Sequence, residues 1–95
     1  MKLPCVYIMV SRWHGALYTG VTSDLVKRVY EHKSGLIEGH TKKYEIKNLV
    51  WFEVHDDMEN AIKKEKLVKR WKKEWKYNVI EKDNPDWKDL YETIL

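Results

Sequence analysis

Two tyrosines, an arginine, a histidine and a glutamate are the residues of this chain best suited to chemistry. Tyr7 lies in the run Cys5-Val6-Tyr7-Ile8-Met9-Val10, and Tyr18 lies eleven residues on in Leu17-Tyr18-Thr19-Gly20-Val21. Both runs are rich in Val, Ile, Tyr and Thr, the residues that favour strands. A tight hairpin between them brings two phenols to one sheet face, beside a helix that offers Arg28 and His32. Phenols next to a guanidinium and an imidazole suggest chemistry on a phosphodiester. Taken singly, each of these residues also has a packing or surface reading, and only the combination carries weight.

The hairpin must therefore have the right register. Residues 5–12 and 16–22 read as antiparallel strands, with His14-Gly15 suited to a two-residue turn. If His14-Gly15 is the loop, opposed residues have numbers summing to 29, and if Trp13-His14 is, to 27. Side chains alternate faces with period two, so either odd sum puts Tyr7 and Tyr18 on the same face. A three-residue loop without a bulge would separate them.

The next element must aim Arg28 and His32. Thr22 or Ser23 is the expected cap of a helix with Asp24 in its first turn, running to about Lys33 and ended by Ser34-Gly35. Leu25, Arg28, Val29 and His32 follow the spacing of one helical face, so two polar residues share a stripe with two core residues. Residues 34–46 have no clear period and read as a surface loop. A third strand is expected over 47–54. Asp56 with Glu59 forms a capping-box variant for a helix from Met58 to near Lys72. On its wheel Met58, Ala61, Ile62, Glu65 and Val68 fall on one side. Glu65 breaks that apolar stripe, and a lone carboxylate there must be paired, protonated or metal-bound. Trp71, Lys72 and Trp75 begin a further short helix, and Asn84-Pro85 is expected to cap a last one through Tyr91.

Composition bounds the alternatives. Ninety-five residues fit one domain, spanning 1–95, and 43% hydrophobic with 35% charged residues describes an ordered globular chain. No apolar run approaches the ~20 residues that cross a bilayer, and Met1-Lys2-Leu3-Pro4 opens no secretion signal, so a cytoplasmic location is expected. The lone Cys5 has no Cys or His at metal-ligand spacing and reads as a core thiol. Net charge is only +3, but residues 58–76 hold eight Lys or Arg against three Glu. A basic segment of this kind can neutralise phosphates, which makes a nucleic-acid partner plausible. Trp51, Trp71, Trp75 and Trp87 are read mostly as core, with one of Trp71 and Trp75 stacking on a base or sugar.

The order of these residues resembles the GIY-YIG nuclease superfamily. Tyr7 in the first strand, Tyr18-Thr19-Gly20 in the second, Arg28 and His32 on the next helix, and Glu65 in Ala61-Ile62-Lys63-Lys64-Glu65 carry the likeness, which covers nearly the whole chain. It is strongest to small single-domain bacterial members, which are similar to the N-terminal nuclease domain of the ABC excinuclease. Here the first tripeptide reads Cys5-Val6-Tyr7, and a Lys that many DNA-repair members carry after the second motif is Val21.

The resemblance implies an α+β fold with a three-stranded antiparallel sheet flanked by helices. It also implies hydrolysis of DNA phosphodiesters with one divalent ion, Mg²⁺ or Mn²⁺, in DNA repair or recombination. The catalytic candidates are then Tyr7, Tyr18, Arg28, His32 and Glu65. Tyr7 is the base if a nearby cation and the metal lower its pKa from about 10, and Tyr18 could take that role instead. Arg28 suits the phosphate through bidentate hydrogen bonds. Glu65 offers the hard oxygen that Mg²⁺ selects while keeping most of its waters. His32 could orient the water or touch phosphate. Gly20, Lys27, Thr41, Lys42, Lys43, Lys69 and Lys72 are the candidate nucleic-acid contacts.

Small size argues for reading DNA structure, as branched, nicked or single-stranded forms, and against reading sequence. A monomer is favoured. Two other functions compete: a nucleic-acid-binding module without turnover, motivated by Val21, and a protein-interaction domain using the aromatic, basic C-terminal half.

Overall fold

The computed structural model describes residues 2–95. Strands β1 (Cys5–Val10) and β2 (Leu17–Thr22) form the expected hairpin, and β3 (Asn48–Val54) joins the other edge of β1, giving an antiparallel sheet of order β2-β1-β3. Tyr7 lies opposite Gly20 and Met9 opposite Tyr18, so opposed numbers sum to 27 and the loop is Trp13-His14. Gly15 N–H donates to the Arg12 carbonyl at 2.8 Å, and His14 takes left-handed backbone (φ 54°) while Trp13 does not, so the turn is not of the type I′ that the hairpin signal suggests. The tip is tied to the far side of the molecule. His14 stacks between Trp13 (centroids 4.0 Å apart) and Tyr77 (4.6 Å), whose hydroxyl donates to the His14 carbonyl at 3.4 Å.

Because β1 is central and covered on both faces, all six of its side chains are buried, including the Cys5 thiol, whose pKa burial raises. Cys5, Tyr7 and Met9 meet α1 (Leu25–Lys33) on one face through Leu25 and Val29. Val6, Ile8 and Val10 meet Ala61 and Val68 of α3 (Met58–Arg70) and Ile80 of α4 (Lys73–Asp83) on the other. A bulge in β3 opposite Ile8 and Met9 leaves Val50 as an extra residue, so Val50 and Trp51 both join the α3 side while Leu49 and Phe52 join the α1 side.

Several boundaries depart from sequence expectation. Asp24, not Thr22 or Ser23, caps α1 by accepting from Lys27 N–H at 3.3 Å, while Thr22 Oγ1 accepts from Asp24 N–H. Asp57, rather than Asp56, caps α3 through Asn60 N–H at 2.8 Å. Ile62 sits at the margin of the α3 stripe and is exposed, whereas Ala61, Glu65 and Val68 are buried. The loop over 34–46 contains a short helix, α2 (His40–Lys43), entered through Gly39 (φ 99°) and held by burial of Thr41 and Ile46.

No helix starts at Asn84. Its side-chain amide donates to the carbonyls of Val50 and Lys88 (3.2 and 2.8 Å) and its Oδ1 accepts from Lys88 N–H, so Asn84 clamps a loop onto β3. Trp87 turns into the core with φ 55° and donates from Nε1 to Glu81 at 2.8 Å. Asp89 accepts from Leu49 N–H and pairs with Lys33, and only a 3₁₀ turn (Tyr91–Ile94) follows. Among the described residues no helix is long and apolar enough to cross a membrane.

Candidate active site

Tyr7, Gly20, Tyr18 and His32 meet where the hairpin passes under α1. The Tyr7 hydroxyl lies 3.1 Å from His32 Nε2, and the Tyr18 ring packs 6.2 Å from Tyr7 and 5.3 Å from His32 between centroids. Gly20 makes this possible. A Cβ on it would stand 2.5 Å from the Tyr7 hydroxyl oxygen and 2.9 Å from the Tyr18 ring, so this glycine serves close approach and carries no unusual φ. Expected as a nucleic-acid contact, Gly20 is instead buried beneath the two rings.

The electrostatics hold both ring groups neutral. His32 is 3% exposed, and burial, followed by the adjacent Arg28 charge, lowers its pKa to about 4 against the pull of Glu31. Burial and the neighbouring Tyr18 raise the Tyr7 pKa, with Arg28 acting the other way. With the imidazole proton on Nδ1, Nε2 accepts from the Tyr7 O–H; with the proton on Nε2, it donates to the phenol oxygen. His32 Nδ1 is buried without a protein partner, which leaves both tautomers open.

Arg28 stands one turn before His32 at the rim, with Nε 3.3 Å from Glu31. It opens onto a polar hollow of about 520 Å³ that Lys27 also lines. The Glu31 partner was missed from sequence, although its i, i+3 spacing from Arg28 is the signal for it.

Glu65 lies across the sheet from the tyrosine pocket, and its one partner among the described residues is on its own helix. It is 9% exposed on the buried stripe of α3, and Lys69, one turn on, pairs with it at 2.8 Å. The Lys69 pKa is raised, first by its hydrogen bond to Glu65 and more weakly by the charge of an ionised Tyr18, which carries influence around the β2 edge from the other sheet face. Among the described residues no three His, Cys, Asp or Glu converge tightly enough to cage a metal alone. A single buried carboxylate nevertheless fits an ion that keeps most of its waters.

The remaining candidates divide. Lys27, Lys69 and Lys72 are exposed near α1 and α3, whereas Lys42 pairs with Glu38 (3.0 Å) and Lys43 lies over the Tyr44 ring on the exposed α2. Thr41 is buried at 5% exposure, so its side chain is not on the surface where a phosphate contact was expected.

A three-stranded antiparallel sheet with two tyrosines on its hairpin, an arginine on the following helix and a glutamate on α3 is the α+β arrangement that the sequence resemblance implies. The sequence profile of the GIY-YIG catalytic domain matches residues 3–78, and the chain belongs to this family. Among curated proteins it is 32% identical over 75 residues to a UPF0213 protein of Staphylococcus saprophyticus, covering 79% of this chain and 90% of that one. It is 32% identical over 76 residues to a UPF0213 protein of Fusobacterium nucleatum (80% and 76% covered), and 35% identical over 66 residues to one of Haloquadratum walsbyi (70% and 74%). No solved structure gives a significant match.

Proposed function

We propose that this protein is a divalent-metal-dependent endonuclease that hydrolyses DNA phosphodiester bonds and selects DNA structure over sequence. The observation that carries this reading is the Tyr7 hydroxyl at 3.1 Å from His32, beside Tyr18 and Arg28, with Gly20 cleared beneath it. Membership of the GIY-YIG family supports it.

Each group has a role that follows from its surroundings. Arg28, at the mouth of the hollow, binds the non-bridging oxygens of the scissile phosphate and stabilises charge that builds there. Glu65 would hold a divalent metal, which would supply Lewis-acid stabilisation of the phosphoryl oxygens. Tyr7 is the base toward the attacking water. Its resting phenol is neutral, and Arg28 is the group beside it that favours the ionised form able to take a proton from water. His32, in the tautomer with its proton on Nε2, donates to the resulting phenolate and holds its direction. Tyr18 walls the pocket and is the alternative base.

Val21 does not disturb this arrangement. It lies opposite Val6 and packs against the α3-side core, on the sheet face away from Tyr7 and Tyr18. A binding module without turnover is separated from a nuclease by incubating labelled flap, nicked and single-stranded DNA with the protein in Mg²⁺ or Mn²⁺, beside Glu65→Ala and Arg28→Ala. The nuclease reading fails if the wild type cuts no better than either variant.

A further inference from the structure

The corner where α3 passes into α4 carries features that the tyrosine pocket leaves unused. Trp71 ends α3 in extended backbone (φ −65°, ψ 146°), and Trp75, one turn into α4, meets it edge to face with centroids 6.4 Å apart. Their rings, with Asn78 and Val79, line an apolar hollow of about 270 Å³. From sequence both read mostly as core, with one of them stacking on a base or sugar; Trp71 is half-buried and Trp75 is 56% exposed. Folding normally buries an indole, and an exposed one walling an apolar hollow marks a place for a ligand.

Charge at this corner is equally out of rule. Lys72 occupies the cap position of α4 with no side-chain cap bond, and Lys73 and Lys76 flank Glu74, the acidic residue of its first turn, so three cations stand there against one carboxylate. Cations at a helix N-terminus oppose the helix dipole, which favours an anion there. Lys76 is also half-buried and set against the charge of Lys69, whose ammonium is 2.8 Å from Glu65. Lysines thus continue from the candidate metal ligand to the tryptophan hollow. A polyanion laid along them would relieve the repulsion and meet the dipole.

We infer that the Trp71–Trp75 hollow takes an unpaired base of a single-stranded DNA segment whose phosphates follow Lys69, Lys76 and Lys72 away from the scissile bond. The inference rests on the nuclease reading for the direction of the strand and deepens it: the substrate is DNA with unpaired nucleotides beside the cut. Aromatic walls suit any base, because each has a π face, and lysines suit the backbone without reading sequence. Asn78 at the hollow's wall adds an amide able to donate and accept.

The test measures binding in EDTA, where no strand is cut, using a 2-aminopurine in a short single-stranded overhang or within a blunt duplex. Wild-type protein quenches the overhang probe. Trp75→Ala weakens overhang binding by about 5-fold or more, the loss of one base stack, while duplex binding stays within about 2-fold. Trp75→Phe, which keeps an aromatic face, recovers most of the overhang affinity. Equal losses on both DNAs, no loss on either, or no recovery by Phe would overturn the proposal. So would concentration-dependent self-association in sedimentation that Trp75→Ala abolishes, which would make the hollow a protein interface. A protein that quenches the overhang probe yet cuts nothing in Mn²⁺ defeats the nuclease reading and leaves the base site standing.

Discussion

The hydroxyl of Tyr7 on β1 and Nε2 of His32 on α1 lie 3.1 Å apart across 25 residues of sequence, with both side chains buried. This bond joins the most central strand to the last turn of the helix that carries Arg28. It makes the protonation of His32 a matter of stability as well as of site geometry.

Stability therefore depends on pH through His32. Its folded pKa, about 4, is below the usual 6.5, so between those values the unfolded chain binds a proton that the folded protein refuses. Stability falls as pH drops from about 6.5 through about 4 and changes little from this source above or below that window. The full effect is on the order of 3 kcal/mol. Denaturant melts at intervals of pH measure it, and His32→Gln, which cannot titrate, should flatten the slope within the window.

Gly20→Ala places a methyl 2.5 Å from the oxygen of Tyr7, a fully buried side chain. A loss of about 1–3 kcal/mol is expected from such overpacking. Phosphodiesterase activity should fall further than stability predicts, because the displaced hydroxyl leaves His32. Chemical denaturation and cleavage assays on the same preparation separate the two effects.

Glu65→Gln should divide stability from activity. A buried carboxylate paired with a half-exposed lysine contributes little net stability, since desolvation offsets attraction. We expect unfolding free energy within about 1 kcal/mol of wild type, with cleavage reduced by at least about 100-fold. Comparable activity in wild type and variant would make Glu65 only the partner of Lys69.

Arg28→Lys keeps a cation at the rim but not the planar fork. Loss of paired donors to a phosphate should lower kcat/KM by about 10- to 1000-fold with folding unchanged, because the side chain is partly exposed. A binding isotherm for uncut DNA, compared with turnover, shows whether the loss is in the ground state or in the transition state.

Asn84→Ala removes three hydrogen bonds that fix the loop before Trp87. Two of the groups it satisfies lie in a half-buried environment, so a loss of about 1–3 kcal/mol is expected, read by thermal or denaturant unfolding.

That loop also shows what sequence could and could not tell. Strand alternation around Tyr7 and Tyr18, the Leu25–Val29–His32 spacing and the break at Glu65 are local patterns, and each was legible because burial imposes it directly. The odd register followed from turn length alone, whichever pair of residues made the loop. Asn84-Pro85 misled because a helix cap and a loop clamp use the same amide, and the choice fell to carbonyls of Val50 and Lys88, one of them 34 residues away. Gly20 was read as a contact for phosphate when its reason is the room needed by a tyrosine thirteen positions earlier. The Tyr7–His32 pairing and the exposure of Trp75 are likewise products of packing between elements, which no single window of sequence displays, whereas the Glu65–Lys69 bond has the i, i+4 spacing that a helix makes legible. The one-turn helix α2 and the burial of Thr41, a candidate nucleic-acid contact from sequence, are not legible there because tertiary burial, not periodicity, holds them.

The stack of Trp13, His14 and Tyr77 has a mechanical consequence for the pocket. The hairpin carrying Tyr7 and Tyr18 is held at its tip by α4 and at its base by the Thr22–Asp24 entry into α1, contacts that oppose sliding of either strand. Stiffness of this kind removes alternative placements of the phenols before any ligand arrives. Little orientational freedom then remains to be lost on binding, which is how a sheet of three short strands can hold reacting groups to a fraction of an ångström.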